Sequence, residues 1–262
     1  MNIVVLIKQV PDTTDVKIDK KTGTLIREGV PSIINPDDKH AIEEALRLKE
    51  RYGGKVTVLS MGPPQAMDAL RESKAMGVDD NILLSDRAFA GADTWATSYT
   101  LATAIKKVGD FDLIICGRQA IDGDTAQVGP QVAECLDLPQ VTYVRKLEID
   151  GKTLRVERAL EDGFERIETT LPALITVIKD LNKPRYPSVR GIVEACREAE
   201  YPVWTAKDIE AEPSKIGLEG SPTQVKRSFA PEPHGEGIML EGTPENMAKE
   251  LVSRLKDDNV VG

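Results

Sequence analysis

Histidine and cysteine are scarce in this chain of 262 residues, which has two histidines and three cysteines. His40 and His234 stand in unrelated contexts, so the sequence predicts neither a metal site nor a histidine-based catalytic triad. Cys116, Cys135 and Cys196 are odd in number and far apart, which excludes a disulfide framework and a Cys-x-x-Cys pair. We expect buried free thiols and no nucleophile. Any redox chemistry therefore has to be carried by a bound cofactor.

Clustered basic residues and long apolar runs are missing as well. Asp and Glu total 43 against 34 Lys and Arg, which gives a net charge of -9 and a pI near 5.0. Because nucleic-acid binding needs clustered positive charge, we expect no nucleic-acid partner. No apolar run has membrane length, and Met1 to Lys8 has the pattern of a strand rather than of a signal peptide. These features predict a cytoplasmic protein without membrane insertion.

The segment from Phe111 to Leu136 has the pattern of a strand, a loop of small residues and a helix. The apolar run from Phe111 to Cys116 is typical of a strand buried in a parallel sheet, and Gly117 ends it. Pro130 fits the first position of the helix, whose free N–H groups and dipole would face an anion. Small residues leave the loop backbone accessible to a ligand: Gly123, Thr125, Ala126 and Gly129. The alternative is an ordinary connection between a strand and a helix.

The chain has no GxxxxGK[ST] motif, so no lysine is placed to polarise a γ-phosphate and phosphoryl transfer is disfavoured. We expect the loop to bind a nucleotide without hydrolysing it. Asp122 and Asp124 would repel phosphates unless they turn away to cap turns or to hold ribose hydroxyls. The sequence leaves both arrangements open.

Strands alternate with helical patterns through the first half of the chain. Strands are predicted at residues 2–9, 56–61, 81–84 and 111–116, with helices beginning near Asn35, Pro64 and Thr94. The first helix has Pro36 at its start and a predicted buried face of Ile42, Ala45, Leu46 and Leu48. This order predicts parallel strands joined by right-handed crossovers, with a ligand site at their carboxyl ends.

After Leu138-Pro139 the apolar pattern becomes alternating. Strands are predicted at residues 141–149, 152–160, 165–170 and 174–178, and a separate hairpin at 15–27 around Lys21-Thr22-Gly23. Residues 182–241 contain many prolines and glycines and no strand or helix pattern, until an amphipathic helix begins at Pro244. We expect this tail to wrap around a partner.

Several blocks in this order resemble the β subunit of electron transfer flavoproteins. They are IKQVPD at 7–12, NPD at 35–37 leading to AIEEALRLKE at 41–50, GRQAID at 117–122 and LNKPRY at 181–186. The hairpin strands at 156–167 and the segment 172–176 match that family too. The resemblance implies a parallel-sheet, adenine-nucleotide-binding α/β fold of Rossmann type, with added antiparallel strands and an extended C-terminal arm. It further implies a nucleotide-binding domain at 1–181, a partner recognition region at 182–200, and at 201–262 an arm and helix that contact an α subunit.

The resemblance implies nucleotide contacts at or just beyond the carboxyl ends of strands and at helix starts. These are Leu6, Asn35, Pro36, Asp37, Asp38, Met61, Gly117, Arg118, Gln119, Ala120, Ile121, Asp122, Gly123, Asp124, Thr125, Ala126, Gln127 and Val128. For Leu6 and Met61 the alternative is core packing, and for Asn35 it is a helix N-cap.

Family members hold either AMP or a second FAD in this site. Residues 122–129 are similar to the electron-bifurcating group, whose β subunit holds FAD and meets NADH, because small residues replace bulkier ones at 123, 125 and 126. The resemblance thus implies FAD as cofactor and NADH as electron donor. A carrier subunit with structural AMP is the alternative. A nucleotide-sensing module of the stress-protein type is a second one, which would need neither a recognition loop nor a long tail.

The resemblance also implies partners: an α subunit, an acyl-CoA or other flavin dehydrogenase, and ferredoxin or flavodoxin. NADH oxidation is then expected only within the heterodimer or a larger complex. Residues 182–191 are similar to the loop that docks on the dehydrogenase, which implies partner contacts for Pro184, Arg185, Tyr186 and Val189, with Val189 at the apolar tip. Alternatively, Val189 packs on its own subunit. Residues 194–198 lack the basic cluster of the family, so the dehydrogenase stays open.

Overall fold

The computed structural model describes residues 1–12, 17–18, 25–26, 31–197, 199–226 and 237–261. They belong to two compact units, residues 1–226 and residues 227–262. The strands are β1 (Asn2–Ile7), β2 (Gln9–Pro11), β3 (Lys17–Ile18), β4 (Leu25–Ile26), β5 (Ser32–Ile34), β6 (Lys55–Met61), β7 (Asp80–Leu84), β8 (Leu113–Gly117), β9 (Gln140–Asp150), β10 (Thr153–Leu160), β11 (Gly163–Thr170), β12 (Ala173–Val177) and β13 (Val203–Trp204). The α-helices are α1 (Pro36–Tyr52), α2 (Met67–Met76), α3 (Thr94–Val108), α4 (Val128–Leu136), α5 (Val189–Arg197) and α6 (Pro244–Asp257).

A nine-stranded sheet forms the centre of the first unit, in the order β11-β10-β9-β12-β8-β1-β6-β7-β13. The seven strands β9, β12, β8, β1, β6, β7 and β13 are each parallel to their neighbours in this row. At the other edge, β10 pairs antiparallel with both β9 and β11. The predicted parallel α/β fold with added antiparallel strands is therefore confirmed. β2 pairs with β5 and β3 with β4 in two small sheets, so the predicted hairpin exists. Its turn at Lys21-Thr22-Gly23 lies outside the described residues.

Helices cover the parallel part of the sheet on both faces. Ile3, Val5 and Ile7 of β1 pack with residues of α1 and α2, whereas Val4 and Leu6 pack with residues of α3 and α4. This explains the continuous apolar run of β1, since every residue from Ile3 to Ile7 is buried. The predicted inner face of α1 is confirmed, with Ile42 and Ala45 fully buried.

The direction in which successive strands are added to the sheet reverses at β1. The crossovers through α1 and α2 add β6 and β7 on one side of β1, and the crossover through α3 places β8 on the other side. In open α/β sheets, such a reversal leaves a crevice at the carboxyl ends of the two strands, here β1 and β8.

Three sequence expectations need correction. The strand predicted from Phe111 begins at Leu113 and includes Gly117. Helix α4 begins at Val128, so Pro130 is its third residue and not its first. This position still suits proline, because the N–H groups of a first helical turn have no partner within the helix. The expected burial of all three thiols is also wrong, since Cys116 is buried but Cys135 is partly exposed and Cys196 is exposed.

Residues 182–226 contain regular structure that the sequence analysis did not predict. Helix α5 packs on α2, and β13 adds a parallel strand beside β7. Ile209 and Ile216 are buried in the cluster that includes α3 and α4. This part of the predicted arm therefore packs on its own chain.

The second unit contains α6, which confirms the helix predicted from Pro244. Thr243 caps it by accepting the backbone N–H of Asn246 at 3.4 Å, and Pro244 stands at its first position. No residue of α6 is buried. Within the described ranges, no helix combines the length and apolar character needed to cross a bilayer.

Candidate functional site

The residues predicted to bind a nucleotide meet at the crevice between β1 and β8. Leu6 of β1 lies opposite Cys116 of β8, so Lys8 and the loop from Gly117 to Gln127 leave the sheet side by side. Helix α1 begins at Pro36 beneath this edge, and α4 begins at Val128 where the loop ends. Residues 35–38 and 117–128 are therefore brought together by the fold.

Asp38 joins the two strand ends. Its Oδ2 accepts the backbone N–H of Lys8 at 2.8 Å, and its Oδ1 accepts the backbone N–H of Gly117 at 3.0 Å. Burial raises the pKa of this carboxyl to about 7, although the N–H groups of Lys8 and Gly117 favour the ionised form. A side chain at residue 117 would collide with Asp38 Oδ1 and stand 2.8 Å from the carbonyl carbon of Asp37, so this position requires glycine.

Asn35 holds the loop after β8. It occupies the N-cap position of α1, but its side chain makes no capping hydrogen bond, so the N-cap alternative does not describe its side chain. Instead, Nδ2 donates to the carbonyl of Gln119 at 2.8 Å, and Oδ1 accepts the N–H of Ile121 at 3.1 Å. Because Asn35 is fully buried, this amide fixes the first half of the loop to the start of α1.

The two loop carboxylates have partners within the chain. Asp122 accepts from Lys8 Nζ at 2.7 and 2.8 Å, and Asp124 Oδ1 accepts from the side-chain amide of Gln119. The ion pair offsets the negative charge of Asp122 at the mouth of the crevice. Lys8 was missed by the sequence analysis, because nothing local to residue 8 indicates a partner 114 residues away.

The backbone between Thr125 and Gly129 offers a row of free donors. None of these five N–H groups donates a hydrogen bond to any described residue. Asp124 and Ala126 both have a positive φ of 52°, and Gln127 follows with a φ of -103°. Alternating signs of φ turn successive N–H groups toward one point, which forms a concavity for an anion. The start of α4 adds the positive end of a helix dipole.

Gly123 and Gly129 have different roles. A Cβ at Gly123 would meet nothing within 4 Å, so this side of the loop is open to a ligand. A Cβ at Gly129 would lie 2.7 Å from Thr176 Cγ2 and 2.9 Å from Cys116 Sγ. The sheet fills the space on the side of Gly129 where a side chain would stand, so the missing side chain does not make room for a ligand, and only the N–H of this residue is available to one. This glycine allows α4 to pack closely on β8 and β12.

The remaining predicted residues lie around the loop. Leu6 is buried against Leu59 and Cys116, as its core alternative expects, and Met61 is partly buried at the end of β6. Arg118 Nε lies 3.4 Å from Asp37 Oδ2, and its guanidinium stands 5.9 Å from the centre of the Tyr143 ring. Burial raises the pKa of Asp37, and the charge of Arg118 opposes that rise.

The predicted partner-recognition residues lie on a different surface, in the segment that leads from β12 into α5, and Val189 is the first residue of that helix. Tyr186 is 91% exposed and Val189 is 81% exposed, so Val189 does not pack on its own subunit within the described chain. Arg185 instead points back to α1, where its guanidinium contacts Glu43 and Glu50. The roles of these two acids were not predicted, because the residue spacing of α1 indicates only its apolar inner face.

Two surface cavities do not coincide with the predicted site. A cavity of about 340 Å³ lies along β9, β10 and β11 and includes Leu147 and Val156. Another, of about 420 Å³, lies at the amino end of the sheet and includes Asn2 and Trp204. Neither is lined by residues 35–38 or 117–128.

Comparison with known proteins gives one consistent result. A family model described as the electron transfer flavoprotein domain matches residues 22–209. The electron transfer flavoprotein subunit beta of Thermoanaerobacterium thermosaccharolyticum is 59% identical over 261 residues, or 100% of both chains. The caffeyl-CoA reductase-Etf complex subunit CarD of Acetobacterium woodii is 57% identical over 263 residues. The acryloyl-CoA reductase electron transfer subunit gamma of Anaerotignum propionicum is 48% identical over 268 residues, and both of these matches cover 100% of each chain.

Proposed function

This chain belongs to the β-subunit family of electron transfer flavoproteins, and from that premise we propose that it binds FAD at the crevice between β1 and β8. The observation that carries the proposal is the row of five free N–H groups from Thr125 to Gly129. Such a row suits the two phosphates of a dinucleotide, whereas AMP offers one phosphate. Gly123 has open space where a side chain would stand, which leaves room for the longer ligand.

Each part of the crevice has a defined task in this proposal. The N–H groups of residues 125–129 bind the phosphates, and Asn35 and Asp38 keep the loop and the two strand ends in place. Lys8 reduces the repulsion between Asp122 and a phosphate. FAD, when bound, supplies the electron-transfer chemistry, and the protein sets its orientation and surroundings.

We further propose that the chain works with an α subunit in a heterodimer that takes electrons from NADH. The electrons would pass to a flavin dehydrogenase of the acyl-CoA type and to a low-potential acceptor such as ferredoxin or flavodoxin. Two relatives carry names of acyl-CoA reductase systems, which supports this class of dehydrogenase.

Residues 182–200 would contact the dehydrogenase, and residues 201–262 would contribute to the contact with the α subunit. Leu251 and Val252 of α6, both 48% exposed, suit such a contact.

The cofactor content of the purified heterodimer tests the first part. We expect about two FAD per heterodimer, one of them on this chain, and no AMP. Flavin absorbance after denaturation and chromatography of the released nucleotides measure both. One FAD together with one AMP would show that the chain is a carrier subunit with a structural nucleotide.

Coupling between the two acceptors tests the second part. NADH oxidation is followed with an acyl-CoA dehydrogenase and its enoyl-CoA substrate, with ferredoxin, or with both. Bifurcation predicts that ferredoxin is reduced only when the dehydrogenase and its substrate are also present. Transfer from NADH to the dehydrogenase at full rate in the absence of ferredoxin would indicate an ordinary electron carrier.

A further inference from the structure

Arg185 is anchored to α1 by a network of charged groups. Its backbone N–H and its Nε donate to Glu43 Oε2 at 3.0 and 2.8 Å, and one terminal nitrogen lies 3.2 Å from Glu43 Oε1. The guanidinium also donates to the two carboxylate oxygens of Glu50 at 2.5 and 3.2 Å. Every guanidinium nitrogen of Arg185 therefore has an acceptor on α1.

Asn182 provides a second attachment to the same helix. Its Nδ2 donates to the carbonyl of His40 at 3.0 Å and to Glu44 Oε2 at 2.9 Å. The backbone carbonyl of Asn182 lies 3.1 Å from His40 Nδ1. His40, Glu43 and Glu44 share one side of α1, because residues three and four apart are neighbours on a helix. The chain is thus attached to α1 at both Asn182 and Arg185.

The segment from Tyr186 to Arg190 is also fixed at its other end. Ser188 Oγ accepts the backbone N–H of Gly191 at 2.9 Å, at the start of α5. A side chain at Gly191 would collide with the carbonyl oxygen of Ala75, so α5 lies directly against α2. Tyr186 and Val189 are exposed between these two attachments. Fixing both ends lowers the entropy lost when such a segment binds a partner.

We propose that Arg185 and Glu43 form a positioning pair that holds Tyr186 and Val189 in place for docking on the dehydrogenase. Arg185 acts through the segment and does not itself contact the partner, in contrast to the partner contact expected from the sequence. Glu43 is the critical anchor, because its side chain is only 8% exposed and Arg185 is the cation that pairs with it. This inference rests on the proposed docking role of the segment.

Lysine cannot replace arginine in this pair. The guanidinium satisfies two carboxylates at once through a planar set of donors, whereas an ammonium group is a single point charge. Arg185→Lys keeps the charge but loses that geometry. Glu50→Gln is the matched control, because Glu50 is 59% exposed and its contact with Arg185 is at the rim of the network.

The experiment uses the complete heterodimer and a purified acyl-CoA dehydrogenase that the wild-type heterodimer is first shown to reduce in the same assay. The KM for the dehydrogenase, the kcat at saturation, the FAD content and the NADH-dependent reduction of the heterodimer are measured for each variant. Arg185→Ala and Glu43→Ala should each raise the KM by about tenfold, because two side chains regain freedom that docking must remove. The kcat, FAD content and reduction by NADH should stay unchanged. Glu50→Gln should change the KM by less than about twofold.

The double variant separates positioning from direct contact. If Arg185 acts through Glu43, Arg185→Ala adds little to the KM of Glu43→Ala; if Arg185 contacts the partner, the two effects multiply. If the KM effects of the two substitutions multiply in the double variant, or if neither single variant changes the KM, Arg185 is not a positioning residue. Either result would leave the proposed function untouched. If the alanine variants fail to fold, Arg185→Lys gives the same comparison and should still raise the KM. A wild-type heterodimer without FAD would contradict the proposed function instead.

Discussion

The carboxylate of Asp38 accepts the backbone N–H of Gly117 at 3.0 Å, across 79 residues of sequence. The two residues constrain each other. The carboxylate needs this donor, and a side chain at residue 117 would occupy the position of the Asp38 Oδ1 atom. Since Asp38 also holds the N–H of Lys8, the contact sets the spacing of the β1 and β8 ends at which the predicted nucleotide site lies.

Gly117→Ala should therefore destabilise the first unit. The added methyl group would collide with Asp38 and Asp37, and overpacking of this kind costs about 1–3 kcal/mol. We expect the melting temperature to fall by several degrees, as followed by circular dichroism. Gly123→Ala is the matched control, because a Cβ there meets nothing within 4 Å. Equal melting temperatures for the two variants would contradict this account of Gly117.

Asp38 predicts a dependence of stability on pH. Burial raises the pKa of its carboxyl from 3.8 to about 7 in the folded chain. Between these two values the folded protein binds a proton that the unfolded chain has lost, so this group lowers the free energy of unfolding as the pH rises. The decrease is complete above about pH 7 and amounts to about 4 kcal/mol.

Urea unfolding at about pH 5 and about pH 8 measures this effect, with Asp38→Asn as the comparison. The asparagine variant lacks the titrating group, so it should lose less stability than the wild type over this interval. A difference between the two proteins that does not change with pH would mean that Asp38 is ionised at both values.

The architecture could be predicted from the sequence because its signals are local. The run from Ile3 to Ile7 is apolar at every position, as burial on both faces requires, and the alternating pattern after Pro139 marks the antiparallel strands. Asn35-Pro36 marks the start of α1 for an equally local reason, since proline suits the first helical turn.

The contacts that assemble the site could not be predicted in this way. Asn35 holds Gln119 and Ile121 from 84 and 86 residues away, and no pattern around residue 35 identifies these partners. Helix α5 was missed because it has nine residues and contains Gly191, which usually indicates a break. In the structure, that glycine permits the close contact with α2.

Lys8 and Asp122 give a prediction about cofactor retention. Lys8→Met should lower the FAD content of the heterodimer, because the unpaired Asp122 carboxylate would then repel the phosphates. Lys8→Met combined with Asp122→Asn removes both charges and should restore most of the FAD. FAD per heterodimer after gel filtration measures the effect. If the double variant retains as little FAD as Lys8→Met alone, Lys8 acts by another route than neutralising Asp122.

Val189 gives the sharpest prediction about electron transfer. Val189→Asp should lower the rate of electron transfer to the dehydrogenase by at least about tenfold. On docking, the new carboxylate would have to lose its water in an apolar pocket of the dehydrogenase that offers no counter-charge. Folding should be unaffected, since Val189 is 81% exposed. FAD content and NADH-dependent reduction of the heterodimer should also stay at wild-type values, because the substitution lies outside the residues assigned to the nucleotide.

Leu160→Asp is the matched control for this substitution. It places the same carboxylate at an apolar residue that is 48% exposed and lies outside both residues 182–200 and residues 201–262, so the rate of transfer to the dehydrogenase should not change. The informative measurement is the steady-state rate with the dehydrogenase, compared with the reduction of an artificial dye by the same heterodimer. Equal loss of both rates in Val189→Asp would point to a folding defect. A wild-type rate in both assays would mean that the dehydrogenase docks on another surface, because a buried and unpaired carboxylate could not leave the contact intact.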